Sequence, residues 1–405
     1  MKFSLRARAW RTPALALIAL LACSAFLSAQ AYQQTNLDSD FNAGTAQNPG
    51  LAPVQSPHLL NPWGLISSNS SPWWISDNNG GVSTLYNGNT GAVLGLIVNI
   101  PPVVNGAGTG APTGVVFTGG IVLTKGQPAL PGTTFHFGSN TAVFSFVSED
   151  GRVSAWPGAG TDAIQIIPAN NAIPDPNVGP VYKGATVASM TRGGPLFLYV
   201  TNFRQNKIEV YDNNFNPVTL GGNGDSDDAF TDHQLPRGYA PFNVQEVNGN
   251  LYVTFAKQSG DKHDDFDAPG NGFVDKFSPT GKLLQRLEHG NWLNAPWGIA
   301  LAPPDFGFYS NHLFVGNAGS GQIAVYDADS GRFDGLLRDN TGANGHALQN
   351  DRLWALRFGN DAGAGPHNWM FFTAGILGEN HGLFGFFTPN PASATTVPDS
   401  DEDEW

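Results

Sequence analysis

The chain has 405 residues, of which 50 are Gly and 29 Pro; only 13% are charged, and the formal net charge is −13. So many helix breakers exclude a helical bundle or coiled coil, while 27 Phe, 10 Trp and 9 Tyr supply too much core material for a disordered chain. The acidic balance repels polyanions, which argues against nucleic acid and anionic lipid as partners.

The first 13 residues carry Lys2, Arg6, Arg8 and Arg11 and no acid, an apolar run fills 14–27, and Ala29-Gln30-Ala31 follows. This pattern predicts a secretory signal peptide, 1–31, cleaved after Ala31, and hence a secreted or periplasmic protein. An apolar run of 14 residues is too short to span a bilayer, so no membrane span is expected in the mature chain. Lipoprotein processing at Cys23 is the alternative, opposed by the apolar Ala25-Phe26-Leu27 beyond it. Cys23 is the only cysteine, so the mature chain has no disulfide, thiol nucleophile or Cys-ligated metal.

Beyond the leader, one short unit recurs six times: a small or polar residue, alternating apolar positions and a closing aromatic. The aromatics are Tyr86, Trp156, Tyr211, Phe277, Tyr326 and Phe387, spaced 49 to 70 residues apart. Period-2 alternation after a turn residue predicts a strand. Upstream of each unit is a β-rich run (73–78, 143–150, 196–202, 251–257, 313–317, 369–375). Further upstream an opening strand starts at Pro62, Pro112, Tyr182, Pro241, Pro296 or Leu353. A fourth strand follows in five units, at 92–100, 163–168, 217–220, 282–287 and 332–337. The sixth lacks one, and 32–37 stands alone before the first. Ring closure solves both anomalies and removes an open sheet edge. The expected fold is all-β: a six-bladed β-propeller of four-stranded blades over 32–388, closed by the N-terminal strand joining the last blade. A β-sandwich leaves the six ordered units unexplained. From Pro389 onward, 389–405 reads as a disordered acidic tail.

The blade over 294–337 resembles NHL-type propeller repeats. Most of the mature chain also resembles an uncharacterised family of bacterial exported propellers, many of which carry a PEP-CTERM sorting tail. The stretches that carry this likeness begin at Tyr32, Asn61, Tyr239, Ala256, Asp261, Pro269, Ala295 and His381. The resemblance implies fold and export and no particular reaction. No hydrophobic segment or basic cluster follows Pro391, so sorting through such a tail is not expected.

In a propeller, loops from several blades converge on one mouth of the central channel, where sites form. Asn78, Asp150, Asn202, Lys257, Asn317 and His381 are expected on that rim, with Trp63, Trp297 and Trp354 near the same mouth. Such a mouth can stack and hydrogen-bond a small polar ligand; the competing reading is that the Trp fill the core while Asn and Asp shape turns. The fourth blade carries the main exception to the low charge, a long loop holding Asp261, Lys262, His263, Asp264, Asp265 and Asp267. Its carboxylates predict a Ca²⁺ or other divalent-metal site at Asp261, Asp264, Asp265 and Asp267, and His263 is a candidate general base. A second acidic stretch, 223–228, lacks the Gly and terminal Glu of a helix-loop-helix Ca²⁺ loop.

Two functions follow. One is an extracellular binding propeller, monomeric, that takes a small polar ligand, an extracellular protein or a polysaccharide. The alternative is a metal-dependent hydrolase of the gluconolactonase type, also six-bladed, with Asn61, Asn294 and Asp351 at suitable strand starts. The E-G-P-x-W entry motif of those lactonases is absent. A structural envelope role has no positive sign.

Overall fold

The computed structural model describes residues 31–41, 51–102, 109–123, 127–169, 172–221, 229–341 and 345–390. Cys23, the predicted leader short of Ala31, the acidic stretch at 223–228 and the tail beyond Asn390 lie outside the described residues. The predicted units form six antiparallel sheets arranged in a ring, and helix is nearly absent. The chain is a six-bladed β-propeller. No helix among the described residues is long and apolar enough to cross a membrane.

The first five blades pair their strands in chain order from the axis outward. In the first blade these are Pro62–Ile66, Trp73–Asp77, Val82–Tyr86 and Val93–Asn99. The middle two strands are buried at every position, whereas Val93–Asn99 is mostly accessible. That gradient is expected when neighbouring blades cover both faces of a sheet and leave its outer edge in water. The third blade has three regular strands, Tyr182–Ser189, Leu196–Asn202 and Lys207–Tyr211. The expected fourth, 217–220, runs along its edge, held by the Tyr211–Pro217 bridge and by Val218 N–H on the Val210 carbonyl at 2.8 Å.

Closure occurs where the sequence places it. Tyr32–Ser39 pairs antiparallel with Leu383–Pro389 in register Tyr32 to Pro389 and Thr35 to Phe386, and becomes the fourth strand of the last blade. Both strands run past their expected ends, the first to Ser39 and the second through Pro389. Short Val54–Gln55 adds a parallel fifth strand outside. Tyr32 also ties the last blade to the fifth: its hydroxyl donates to the Phe306 carbonyl and accepts from Tyr309 N–H, both at 2.9 Å.

The inner strands approach too closely for side chains at some positions. A methyl on Gly64 would overlap the Thr113 carbonyl, and one on Gly114 would lie 2.7 Å from Ala185 N. These glycines let one blade's inner strand press on the next, which keeps the ring tight.

Removing 32–37 is expected to lower Tm by about 10 °C or more, because an entire edge ladder and the Tyr32 anchor are lost together. Tyr32→Phe, which loses only the hydroxyl, is expected to cost about 1–3 kcal/mol in denaturant melts. Asp38, at a bulge in the closing strand, is fully buried with neither carboxylate oxygen hydrogen-bonded among the described residues. Burial, with Asp40 adding to it, pushes its pKa up to about 7. The folded chain therefore keeps a proton that the unfolded chain releases near pH 4, and this group's contribution to stability falls as pH rises from about 4 to about 7. Melts of Asp38→Asn against the parent should show a Tm difference that moves in favour of the variant across that range.

Candidate functional site

Four inner strands send aromatic side chains to the axis. Trp63 and Trp354 stack at 3.6 Å between ring centroids, Trp297 meets both edge-on at 6.2 and 6.0 Å, and Phe242 lies 6.4 Å from Trp63. All four are 4% exposed or less. The three Trp therefore do not line an open mouth as expected; they fill the centre of the ring, as the competing reading held. Two indoles are hydrogen-bonded, Trp297 Nε1 to the Lys183 carbonyl at 3.0 Å and Trp354 Nε1 to Asn61 Oδ1 at 3.1 Å.

Above this plug sits a layer of charge. Lys183 comes from the third blade's inner strand, and its ammonium lies 5.1 Å over the Trp63 ring, a cation–π distance. It also pairs with Glu149 and, at 3.2 Å, with Asp264. Asn78 Nδ2 donates to the other oxygen of Glu149 at 3.0 Å. The long loop of the fourth blade crosses the axis to complete the layer: Asp264 reaches the third blade, while Asp265 and Asp267 each lie 3.1 Å from Arg352 at the entry to the sixth. Arg352 also holds Glu379 at 2.9 Å, and Glu379 accepts from Asn61 at 3.1 Å. The loop is thus tied down on both sides of the channel.

The electrostatics follow from burial under this loop. Burial works against the Lys183 charge, but Glu149 and Asp264 outweigh it and raise its pKa, so the ammonium stays protonated. The His263 hydrogen bond, Nδ1 to Asp264 Oδ1 at 2.8 Å, and then the Lys183 charge hold Asp264 well below the usual carboxylate range. Asp267 is pushed up by burial and by neighbouring Asp265, with Arg352 opposing. Glu379 is likewise raised by burial against Arg352. Five carboxylates share two permanent cations here, Lys183 and Arg352, so the layer favours a ligand that donates hydrogen bonds or carries positive charge over an anion.

The expected metal ligands separate into three groups. Asp261 turns away, accepting from Ser259 Oγ at 2.6 Å and His263 N–H at 3.1 Å within the loop. Asp265 and Asp267 are committed to Arg352. Asp264 joins Glu149 and His263 in a group whose donor atoms lie within 4.8 Å of one another. Within it, Glu149 and Asp264 already accept hydrogen bonds from the Lys183 ammonium.

The other expected rim residues have local work. Asn202 donates to Glu209 and caps the Gln205 turn, and Asn317 accepts from Asn294 N–H at 2.8 Å. Lys257 lies 5.7 Å over the Phe266 ring at the base of the loop. Asp150 pairs with Arg152 at 3.7 Å, and burial raises its pKa to about 6. His381 binds Asp40 at 2.5 Å and stacks on Phe41, beside the closing strand. Glu149, Lys183, Arg352 and Glu379 were not singled out in the sequence. A signal existed for Lys183: the six inner strands contain only three charged residues, Lys183, Glu246 and Arg357.

No protein-family model matches the chain. Two uncharacterised proteins of Acanthamoeba polyphaga mimivirus are similar in sequence. One is 28% identical over 296 residues, 72% of each chain, and the other 27% identical over 336 residues, 81% of this chain and 75% of the relative. These relatives are viral and do not bear on the resemblance to exported bacterial propellers. Solved β-propellers align over most of the chain. A streptogramin B lyase does so at 13% identity, covering 89% of this chain and 97% of its own with a TM-score of 0.45. The PQQ-bound aldose sugar dehydrogenase of Streptomyces coelicolor does so at 12%, 88% and 99%, with a TM-score of 0.46. At that distance neither lends its chemistry to this protein.

Lys183→Met is expected to destabilise by about 3–5 kcal/mol in chemical denaturation, because it strands Glu149 without its cation. Arg352→Ala frees the loop and also strands Asp265, Asp267 and Glu379. Hydrogen exchange at 258–268 and tryptic cleavage at Lys262 are expected to rise severalfold, with global stability lowered by about 2–4 kcal/mol.

Proposed function

We propose that the protein is an exported binding propeller that recognises a small polar ligand, rich in hydroxyl or ammonium donors, at its loop-covered axial end. One observation carries this reading: side chains from four blades converge beneath one insertion, in a chain otherwise poor in charge. The carboxylate excess suits sugars, polyols or exposed polysaccharide ends, and the tethered loop supplies a cover that exchanges its Arg352 contacts for ligand contacts.

The second reading, a divalent-metal hydrolase, draws support from the Glu149, His263 and Asp264 donors. Lys183 weighs against it. A protonated ammonium already occupies hydrogen-bonding positions on two of the three donors, and a Ca²⁺ or transition-metal ion beside it would meet strong repulsion. Of the lactonase-type residues, Asn61 is engaged by Trp354 and Glu379, and Asp351 is exposed and accepts from Gly378 N–H.

Thermal-shift measurements with a panel of neutral sugars and polyols separate the readings when run beside Ca²⁺, Mn²⁺ and Zn²⁺ with and without chelator. The binding reading expects a sugar or polyol to raise Tm, the chelator to leave that shift intact, and Asp264→Ala to abolish it. Stoichiometric metal in the purified protein, with a chelator-sensitive Tm, would instead favour the hydrolase.

A further inference from the structure

The opposite end of the axis differs in every respect. There the inner strands run out into the turns to their second strands, and a cavity of about 730 Å³ opens between the second, third and fourth blades, bordered also by Ile66 of the first and Arg357 of the sixth. Its volume falls in the range of small-molecule sites. Its walls are mainly apolar, with Ile66, Val116, Phe117, Met190 and Leu196 among them, while Gln245, Glu246 and Arg357 border the inner part and Arg192 stands exposed at the rim. At the rim, Ile121 continues into Val122 and Leu123, which are exposed at 37% and 76%. Exposed apolar residues contiguous with an apolar cavity extend one binding surface rather than standing as isolated exceptions.

Arg357 stands at the inner end. It borders this cavity, a narrow axial space beside Trp297, and a third opening toward Phe358. Its Nε donates to the Leu65 carbonyl at 3.2 Å, which fixes the guanidinium plane. The two terminal nitrogens have no hydrogen-bond partner among the described residues. Glu246, the one acidic residue in the lining, makes no ion pair with Arg357, and its Oε1 accepts from Gly249 N–H at 2.6 Å. Burial lowers the arginine pKa to about 10, with Glu246 opposing, so the group is charged at neutral pH and incompletely solvated. A fixed guanidinium with two free donors is a fork for a planar anion.

We propose that this cavity binds a small monocarboxylate with an apolar body, the carboxylate paired with Arg357 and the body lying against Val116, Phe117, Met190 and Leu196. The site is independent of the loop-covered end and of the ligand proposed there: it has the opposite charge preference and shares no residue with the loop layer.

The test is isothermal titration of the full chain with sodium octanoate and, as the uncharged control, octan-1-ol. Octanoate is expected to bind about tenfold or more tighter than the alcohol, as hydrogen bonds to a charged partner require. Arg357→Met should bring octanoate down to the alcohol's affinity, and Arg357→Lys should fall between, having charge without the fork. Glu246→Gln, which removes the one negative group near the arginine, should tighten octanoate severalfold and leave octan-1-ol unchanged; this arm holds even if the Arg357 variants fold poorly. Failure of octanoate to bind, equal affinity for octanoate and octan-1-ol, or a Glu246→Gln variant that does not favour octanoate would overturn the proposal.

Discussion

The stacking of Trp63 on Trp354, with Trp297 and Phe242 against them, is the contact around which the rest of the molecule is arranged. A six-bladed ring with larger inner-strand separations leaves a hydrated channel. Here glycines on the inner strands bring the blades close, and four aromatic rings fill what remains. Burying such rings contributes several kcal/mol, and because they come from four blades each gains only when the ring is closed. The closing strand and the axial plug therefore depend on each other: the strand completes the circle, and the plug gives the circle something to close on.

Filling the axis has a chemical consequence, because it divides one channel into two ends with different properties. On the loop side, polar groups rest on the indoles and satisfy one another, Lys183 against Trp63, Glu149 and Asp264, and Arg352 against Asp265, Asp267 and Glu379. Such a layer is costly to disturb one partner at a time, which explains why an insertion rich in charge is tied across the axis although much of its surface meets solvent. On the far side the walls are mainly apolar and the inner guanidinium, Arg357, keeps its terminal nitrogens free. Charged residues make up only 13% of the chain, so few other side-chain ions compete with either arrangement.

Much of this was legible in the residues. Six alternating units, the missing last strand and the orphan strand at Tyr32 together dictate a closed ring, because the hydrophobic period and the edge problem have one joint solution. The charge-dense loop also stood out, and it does cross the axis. What composition and period could not give was direction around the ring. Whether Trp63, Trp297 and Trp354 face solvent or each other depends on the inner-strand spacing, which is set by contacts between residues as far apart as Gly298 and Trp354, or Gly64 and Thr113. For the same reason the partners of the loop were hidden, since Lys183 and Arg352 lie 81 and 87 residues from Asp264 and Asp265. The loop carboxylates read as metal ligands because their cations belong to other blades. The overlooked signal was simple: a charged residue on an inner strand has no solvent to face except the axis, and Lys183, Glu246 and Arg357 are the three such residues.

The closed axis is tested most directly by circular dichroism of the indole exciton couplet in single and double Trp variants. Two rings stacked at 3.6 Å couple strongly, so Trp63→Phe and Trp354→Phe should each remove the same large component of the couplet, leaving the weaker contribution of pairs such as Trp74 with Trp156 at 5.0 Å, and the double variant should remove little more. Additive losses, or single variants whose difference spectra show no lost couplet, would mean that the two indoles do not form one stacked pair and that the axis is not closed by them.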